Sequence, residues 1–246
     1  MLLVALVVTL TAQATLTSGI VGWWLFNDGS GITAQDSSGL GNNGTLQGSA
    51  FFTTDPQRGD VLNVYGPSGE VDVPFSTSLE PAIGTVMVWV QPTLAQTADI
   101  VRQTTDLLIR TNVSGTYYAY GLRVQGNGSP VAIISNDDPS SKYPQTVIYG
   151  PANRARLNQW THLAMRWDGS TLSLFANGKL VASTGYSPTP TTGLSYHGTA
   201  PLKVAAAIYD PGPGNGNLEY QGNLSDLRIY SRALTDTEIY NVYAGK

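Results

Sequence analysis

The stretch WTHLAMRWDGSTLSLFANGKLVAST, residues 160–184, decides the fold. Asp168-Gly169 and Asn177-Gly178 are the dipeptides that best tolerate the positive φ angles of tight hairpin turns. Around them the chain alternates. Leu163, Met165 and Trp167 fall on one face of a first strand, Leu172, Leu174 and Ala176 on one face of a second, and Val181 continues in a third. Alternation of period two between turn signals predicts an antiparallel meander with one buried face. Such a meander belongs to an all-β protein and tilts the function toward binding rather than chemistry.

The pattern extends outward in both directions. Ile20–Phe26 reads as a short aromatic strand, followed by the turn-rich loop DGSGITAQDSSGLGNNGTL (28–46). Val61–Val64 and Glu70–Val73 read as strands around the turn Gly66-Pro67-Ser68-Gly69. Thr85–Val90 sets Val86, Val88 and Val90 against Met87 and Trp89, and Pro92 closes it. Asp106–Arg110, Tyr117–Val124 and Val131–Ser135 follow. Strands at this spacing, separated by Gly, Pro and Asn clusters, predict a two-sheet antiparallel sandwich or jelly roll. One helix is expected, and it comes last. Thr235 and Glu238 have capping-box spacing, Ile239, Val242 and Tyr243 follow at helical intervals, and Gly245 stands where a helix ends. No break in composition and no repeat divides residues 19–246, which are expected to form one domain. That length buries a large core without a disulfide or metal.

Composition narrows the function. There is no cysteine, so thiol nucleophiles, thiolate zinc sites and thiol redox chemistry are excluded. Charged residues make up 12% of the chain, about half the roughly 25% of an ordinary globular domain. The net charge of −4 offers nothing to a nucleic acid or an anionic membrane. A surface of Gly, Ser, Thr and Asn suits a protein packed among other subunits or working outside the cell.

Residues 1–18 carry two readings. Leu2–Val8 is an apolar run, and Ala12-Gln13-Ala14 is like a signal-peptidase site, although no Lys or Arg precedes the run. Seven apolar residues are too few to span a bilayer. Thr9–Thr17 alternates polar and apolar, as a retained arm would that pairs with a sheet edge or a neighbouring subunit.

The segments GIVGWWLFNDGSG (19–31), AQDSSGLGNNGTL (34–46), GEVDVPFSTSL (69–79), TVMVWVQP (85–92), LNQWTHLAMRWDGSTLSLFANGKLVAS (157–183) and GNLSDLRIYSRALTDTEI (222–239) carry a resemblance. In this order they resemble the LamG-like jelly roll of the concanavalin A-like lectin/glucanase superfamily, over residues 19–243. The resemblance implies a two-sheet antiparallel jelly roll. It implies little about activity, because the fold carries lectins, adhesion modules, viral coat components and some glycosidases.

A retaining glycosidase on this fold needs two carboxyls roughly 5 Å apart on one strand face. Glu70 and Asp72 begin such a motif, but the second Glu would fall at Pro74 or Phe75, neither of which is an acid or base. Glu70 and Asp72 are therefore expected to face solvent while Val71 and Val73 point inward. His162 and His197 have no metal-ligand spacing, and His162 is expected to pack structurally. No nucleophile elbow or phosphate loop occurs. No catalytic residue is expected.

Calcium takes oxygen ligands from loops. The resemblance suggests a structural site built from Asn27, Asp28, Asp36, Asn43 and Asp226, with one charge fewer than the family carries where this chain has Asn27-Asp28. For sugar binding, the polar loop with Asn136, Asp137, Asp138 and Tyr143 ranks first. Tyr149, Tyr186, Tyr196, Tyr209 and Tyr220 are further aromatic candidates. Two functions follow. One is an extracellular binding or adhesion module recognising a glycan or a protein. The other is a structural subunit of an extracellular assembly (virion coat, decoration or tail component, or surface filament) that uses residues 1–18 for contacts with neighbouring subunits.

Overall fold

A computed structural model describes residues 16–66, 68–105, 117–135, 145–186, 199–206, 208–209, 217–218 and 220–246. In chain order the strands are β1 (Ile20–Trp24), β2 (Thr33–Ala34), β3 (Gly44–Gln47), β4 (Ala50–Asp55), β5 (Gly59–Val64) and β6 (Glu70–Val73). Next come β7 (Gly84–Pro92), β8 (Ala98–Thr105), β9 (Tyr117–Val124), β10 (Pro130–Ser135), β11 (Gln145–Tyr149) and β12 (Thr161–Trp167). The last are β13 (Thr171–Ala176), β14 (Lys179–Gly185), β15 (Leu202–Val204), β16 (Ile208–Tyr209), β17 (Asn217–Leu218) and β18 (Gly222–Tyr230), followed by helix α1 (Asp236–Tyr243).

Two eight-stranded antiparallel sheets form a sandwich. The first runs β14-β13-β12-β7-β18-β5-β4, with β1 pairing β18 outside this path. The second runs β11-β10-β9-β8-β15-β6-β3-β2. The meander of residues 161–185 sits at one edge of the first sheet, as its alternation requires. Asn177 (φ 50°) and Gly178 (φ 71°) both take positive φ, the signature of a tight primed turn. The other turn is built differently. Only Gly169 is positive there (φ 94°), and the Asp168 carboxylate instead accepts from the amides of Ser170 (2.9 Å) and Thr171 (2.8 Å).

The alternating residues face each other across the sandwich. Val86, Val88, Val90, Leu163, Met165, Leu172, Leu174, Leu224 and Ile229 from the first sheet meet Val71, Val73, Ile100, Leu122 and Ile134 from the second. A smaller core lies on the first sheet's outer face, where α1 lays Ile239 and Val242 on Met87, Ala164, Phe175 and Tyr230. The capping box is complete, with Thr235 Oγ1 accepting from Glu238 N and the Glu238 carboxylate accepting from Thr235 N. Leu16 joins this second core, and its carbonyl accepts the Tyr230 hydroxyl (2.9 Å). The end of the 1–18 segment thus packs on the domain. Residues 1–15, and the strand expected at 106–110, lie outside the described residues. Strands β3, β4, β8, β11 and β15 were not legible in advance, being short or lacking an alternating apolar face.

Candidate functional site

The residues expected to hold calcium do a different job as placed. Asp36 Oδ1 accepts from the amides of Trp23 (2.9 Å) and Ser38 (2.9 Å), and Oδ2 from Ser38 Oγ (2.7 Å) and Asn42 N (2.8 Å). Its own amide donates to Asn43 Oδ1 (2.9 Å). Asn42 in turn donates to Val21 O (2.8 Å) and accepts from Trp24 Nε1 (2.9 Å). The loop is a clip on the free edge of β1, which would otherwise present unpaired amides. Asp226 sits at a bulge of β18 with φ 52° and binds Trp23 Nε1 (2.8 Å) and Arg228 Nε (2.8 Å). Asp28 accepts from Gln35 N (3.2 Å), and Asn27 is exposed. Burial raises the Asp28 carboxyl above its ordinary range, against the lowering effect of the backbone bond from Gln35.

Asp36 and Asn43 are therefore in direct contact, whereas Asp226 joins them only through Trp23. A hard cation needs several oxygen lone pairs converging on one point, and those of Asp36 and Asp226 are occupied by N–H and O–H donors. Among the described residues, no three His, Asp or Glu side chains form a group able to hold a metal ion. The residues present do not fit calcium.

The loop ranked first for sugar, with Asn136, Asp137, Asp138 and Tyr143, lies outside the described residues, as do Tyr196 and His197 and the side chain of Tyr209. Tyr186 and Tyr220 are buried, so they are not platforms, and Tyr149 stands exposed on edge strand β11.

A surface that sequence reasoning did not find occupies the outer face of the first sheet, beside α1. Three amide side chains form a ladder there. Asn63 Nδ2 donates to Asn223 Oδ1 (2.6 Å), and Asn223 Nδ2 donates to Gln91 Oε1 (2.7 Å). They are neighbours because Asn63↔Asn223 and Asn223↔Gln91 stand opposite one another on β5, β18 and β7. Phe51, 48% exposed, continues the row on β4 opposite Asn63. Tyr65, 68% exposed, follows the end of β5. At the other end of the ladder Trp89 lies two residues from Gln91, with its ring under the Arg58 guanidinium (4.1 Å to the centroid). Trp160 flanks the same guanidinium at 5.3 Å and donates through Nε1 to Asp55 (3.0 Å). The face therefore sets a run of three partly exposed side-chain amides between exposed Phe51 and Tyr65 at one end and the partly covered rings of Trp89, stacked between Arg58 and Tyr243, and Trp160 at the other.

Behind Trp89 lies His162, 5.2 Å from it and 6.0 Å from Tyr243 between ring centroids. It is buried, with Nδ1 unpartnered, as expected of a structural histidine. Burial pushes its pKa down to about 3, opposed by the charge of Asp226 and reinforced by Arg228 and Arg58. An unfolded histidine titrates near 6.5. Between these values the unfolded chain binds a proton that the folded chain refuses, so stability is complete above about pH 6.5 and falls as pH drops toward 3. The slope approaches roughly 1.4 kcal/mol per pH unit. Denaturant unfolding of wild type and His162→Leu between pH 7 and 4 measures it. The variant should show a flatter pH dependence, and equal slopes would refute the assignment.

The acidic pair of β6 is closed. Glu70 and Asp72 lie on the second sheet's outer face, half-buried rather than fully solvated, and Lys203 pairs with both, at 2.7 Å from Glu70 Oε1. Val71 and Val73 point into the core, as their alternation predicts. On the same sheet the buried carboxylate of Asp99 in β8 pairs with Arg102 and with Arg123 of β9.

A laminin G-type family model described as "Concanavalin A-like lectin/glucanases superfamily" matches residues 65–240. A segment of Adhesion G-protein coupled receptor V1 of Danio rerio is 26% identical over 161 residues, covering 65% of this chain and 2% of the receptor. The binding domain of Paraclostridial Mosquitocidal Protein 1 superposes with TM-score 0.67 at 16% identity, over 94% of this chain and 53% of that one. The binding domain of botulinum neurotoxin DC in complex with SialylT gives 0.63 at 14%, over 94% and 52%. A Trypanosoma rangeli sialidase mutant displaying trans-sialidase activity gives 0.64 at 15%, over 92% and 33%. At these identities the structural likeness shows the fold alone. Among the described residues no helix is long and apolar enough to cross a membrane.

Proposed function

This chain belongs to the concanavalin A-like lectin/glucanase superfamily, and from that premise we propose that it is a non-catalytic extracellular binding module that holds a saccharide on the outer face of its first sheet. The observation that carries the reading is the amide ladder Asn63–Asn223–Gln91 set between exposed Phe51 and Tyr65 on one side and Trp89 and Trp160 on the other. Sugar hydroxyls pair with side-chain amides, which both donate and accept, and the C–H faces of a pyranose pack on aromatic rings. Pre-bonding the amides to one another fixes their orientation, so little side-chain entropy remains to be lost on binding. The Lys203 clamp on Glu70 and Asp72 supports a non-catalytic role, since neither carboxylate stands free as acid or base. Solved neighbours of this fold include binding domains described in complexes with SialylT and with rat synaptotagmin II, each matched over 52% of its length.

A glycan array followed by calorimetry tests the proposal. Phe51→Ala should weaken the best saccharide by about tenfold, the value of one aromatic contact, with the melting temperature unchanged because the ring is exposed. An array without a hit, or a Phe51→Ala protein that binds like wild type, would sink it.

A further inference from the structure

The half-buried cations Arg102, Arg123, Arg166, Lys203, Arg228 and Arg232 each rest on a carboxylate. Arg58 breaks the rule. Its guanidinium is half-buried, its Nε is sealed from solvent without a hydrogen-bond partner, and among the described residues no carboxylate lies within pairing distance. Its contacts are instead the faces of Trp89 and Trp160. Cation–π stacking favours such a placement but leaves the N–H donors of the fork unused.

The arrangement is held rigidly. Arg58 projects from the β4–β5 hairpin, whose tip is tied by Asp55: one carboxylate oxygen accepts the amides of Gln57 (2.9 Å) and Arg58 (3.0 Å) and also Trp160 Nε1 (3.0 Å). A single buried acid thus orients both the arginine's backbone and one wall of its cage. Asp55 holds the Arg58 backbone but neither it nor Asp226 pairs with the guanidinium, and burial lowers the Arg58 pKa against the pull of the two charges. A desolvated, unpaired guanidinium is costly to keep. An oxyanion arriving from outside would pair not with the sealed Nε but with the two terminal Nη groups, in the two-pronged geometry that carboxylates and sulfates share.

We propose that Arg58 is the anion-recognising residue of this face, and that the ligand is an acidic glycan presenting a carboxylate or sulfate to the Arg58 fork while a neighbouring sugar ring lies along the amide ladder. This rests on the saccharide reading above and specifies its ligand class.

The test uses the full chain on an array printed as matched pairs, each saccharide with and without its carboxylate or its sulfate ester, with titrations of the hits at two salt concentrations. Acidic members should bind about ten- to a hundred-fold better than their neutral partners, and added NaCl should erode the difference. Arg58→Lys keeps the charge but not the fork, so it should lose most of the preference while still binding neutral members. Arg58→Gln should abolish it. Because Arg58→Gln also loses the stacking on Trp89, Arg58→Lys and the wild-type pairs decide the matter if that variant is unstable. Carboxylate pairs and sulfate pairs, scored separately, identify the anion. Equal binding within pairs, or a preference that survives Arg58→Lys, overturns the acidic assignment and leaves the saccharide reading standing. An array blank for every member overturns both.

Discussion

Replacing Trp167 by alanine should destabilise the protein by about 4 kcal/mol, in the range for a large aromatic lost from a packed core. Trp167 is fully buried at the end of β12, and its ring stacks on Tyr120 of the opposite sheet with centroids 5.1 Å apart. Its Nε1 donates to Pro81 O (3.3 Å), and Tyr120 donates to Leu79 O (3.0 Å), so both rings anchor the connection that leads into β7. Gly84 opposite is shaped around the ring: a Cβ there would stand 2.5 Å from it. Alanine would leave a cavity between the sheets that neither backbone can close. Native stabilities run to about 5–15 kcal/mol, so a third or more of the total is at stake. Urea unfolding reads it as a lowered midpoint at constant slope. Trp167→Phe, which keeps a ring but not the Pro81 bond, should lose less than half as much. A loss below about 1.5 kcal/mol for alanine would mean the sandwich is not joined at this point.

The second large effect is expected at Asp36. Four donors converge on its carboxylate, three of them backbone amides: that of Trp23 holds the clip to β1, and those of Ser38 and Asn42 close the loop on itself. Charge-assisted hydrogen bonds and the donors orphaned by their loss are worth about 1–3 kcal/mol each. Water recovers part of this at a half-buried site, so Asp36→Ala should cost about 3 kcal/mol. The same protein separates a clip from a calcium ligand. With the carboxylate as a clip, the wild-type melting temperature is the same in EDTA and in CaCl₂, and the variant loses equally in both. If calcium instead raises the wild-type melt and Asp36→Ala abolishes that rise, a cation site exists and the clip reading is wrong.

The early loop shows how far local sequence carries. Asp36 and Asn43 stand out as loop residues with oxygen-bearing side chains, and the structure does bring them together. Whether such oxygens meet a cation or an amide depends on what the fold delivers to them. Here it delivers the unpaired edge of β1, and Trp23 between Asp36 and Asp226. Trp89 was also partly legible: its alternation against Val88 and Val90 turns it outward, although nothing local says what covers it.

By itself, the sequence determined everything that rests on neighbours along the chain. The meander, the Asn177-Gly178 turn, the inward Val71 and Val73 and the capped helix all follow from period, turn chemistry and capping, interactions that span a few residues. Only the tertiary structure decided the candidate site. Asn63 and Asn223 are 160 residues apart, and Asn223 and Gln91 are 132 apart. Their ladder exists because strand register aligns β5, β18 and β7, and register is set by the whole core rather than by any local pattern. Arg58 looks like an ordinary hairpin arginine until the β4–β5 tip lays it on Trp89, so its missing partner is visible only in three dimensions.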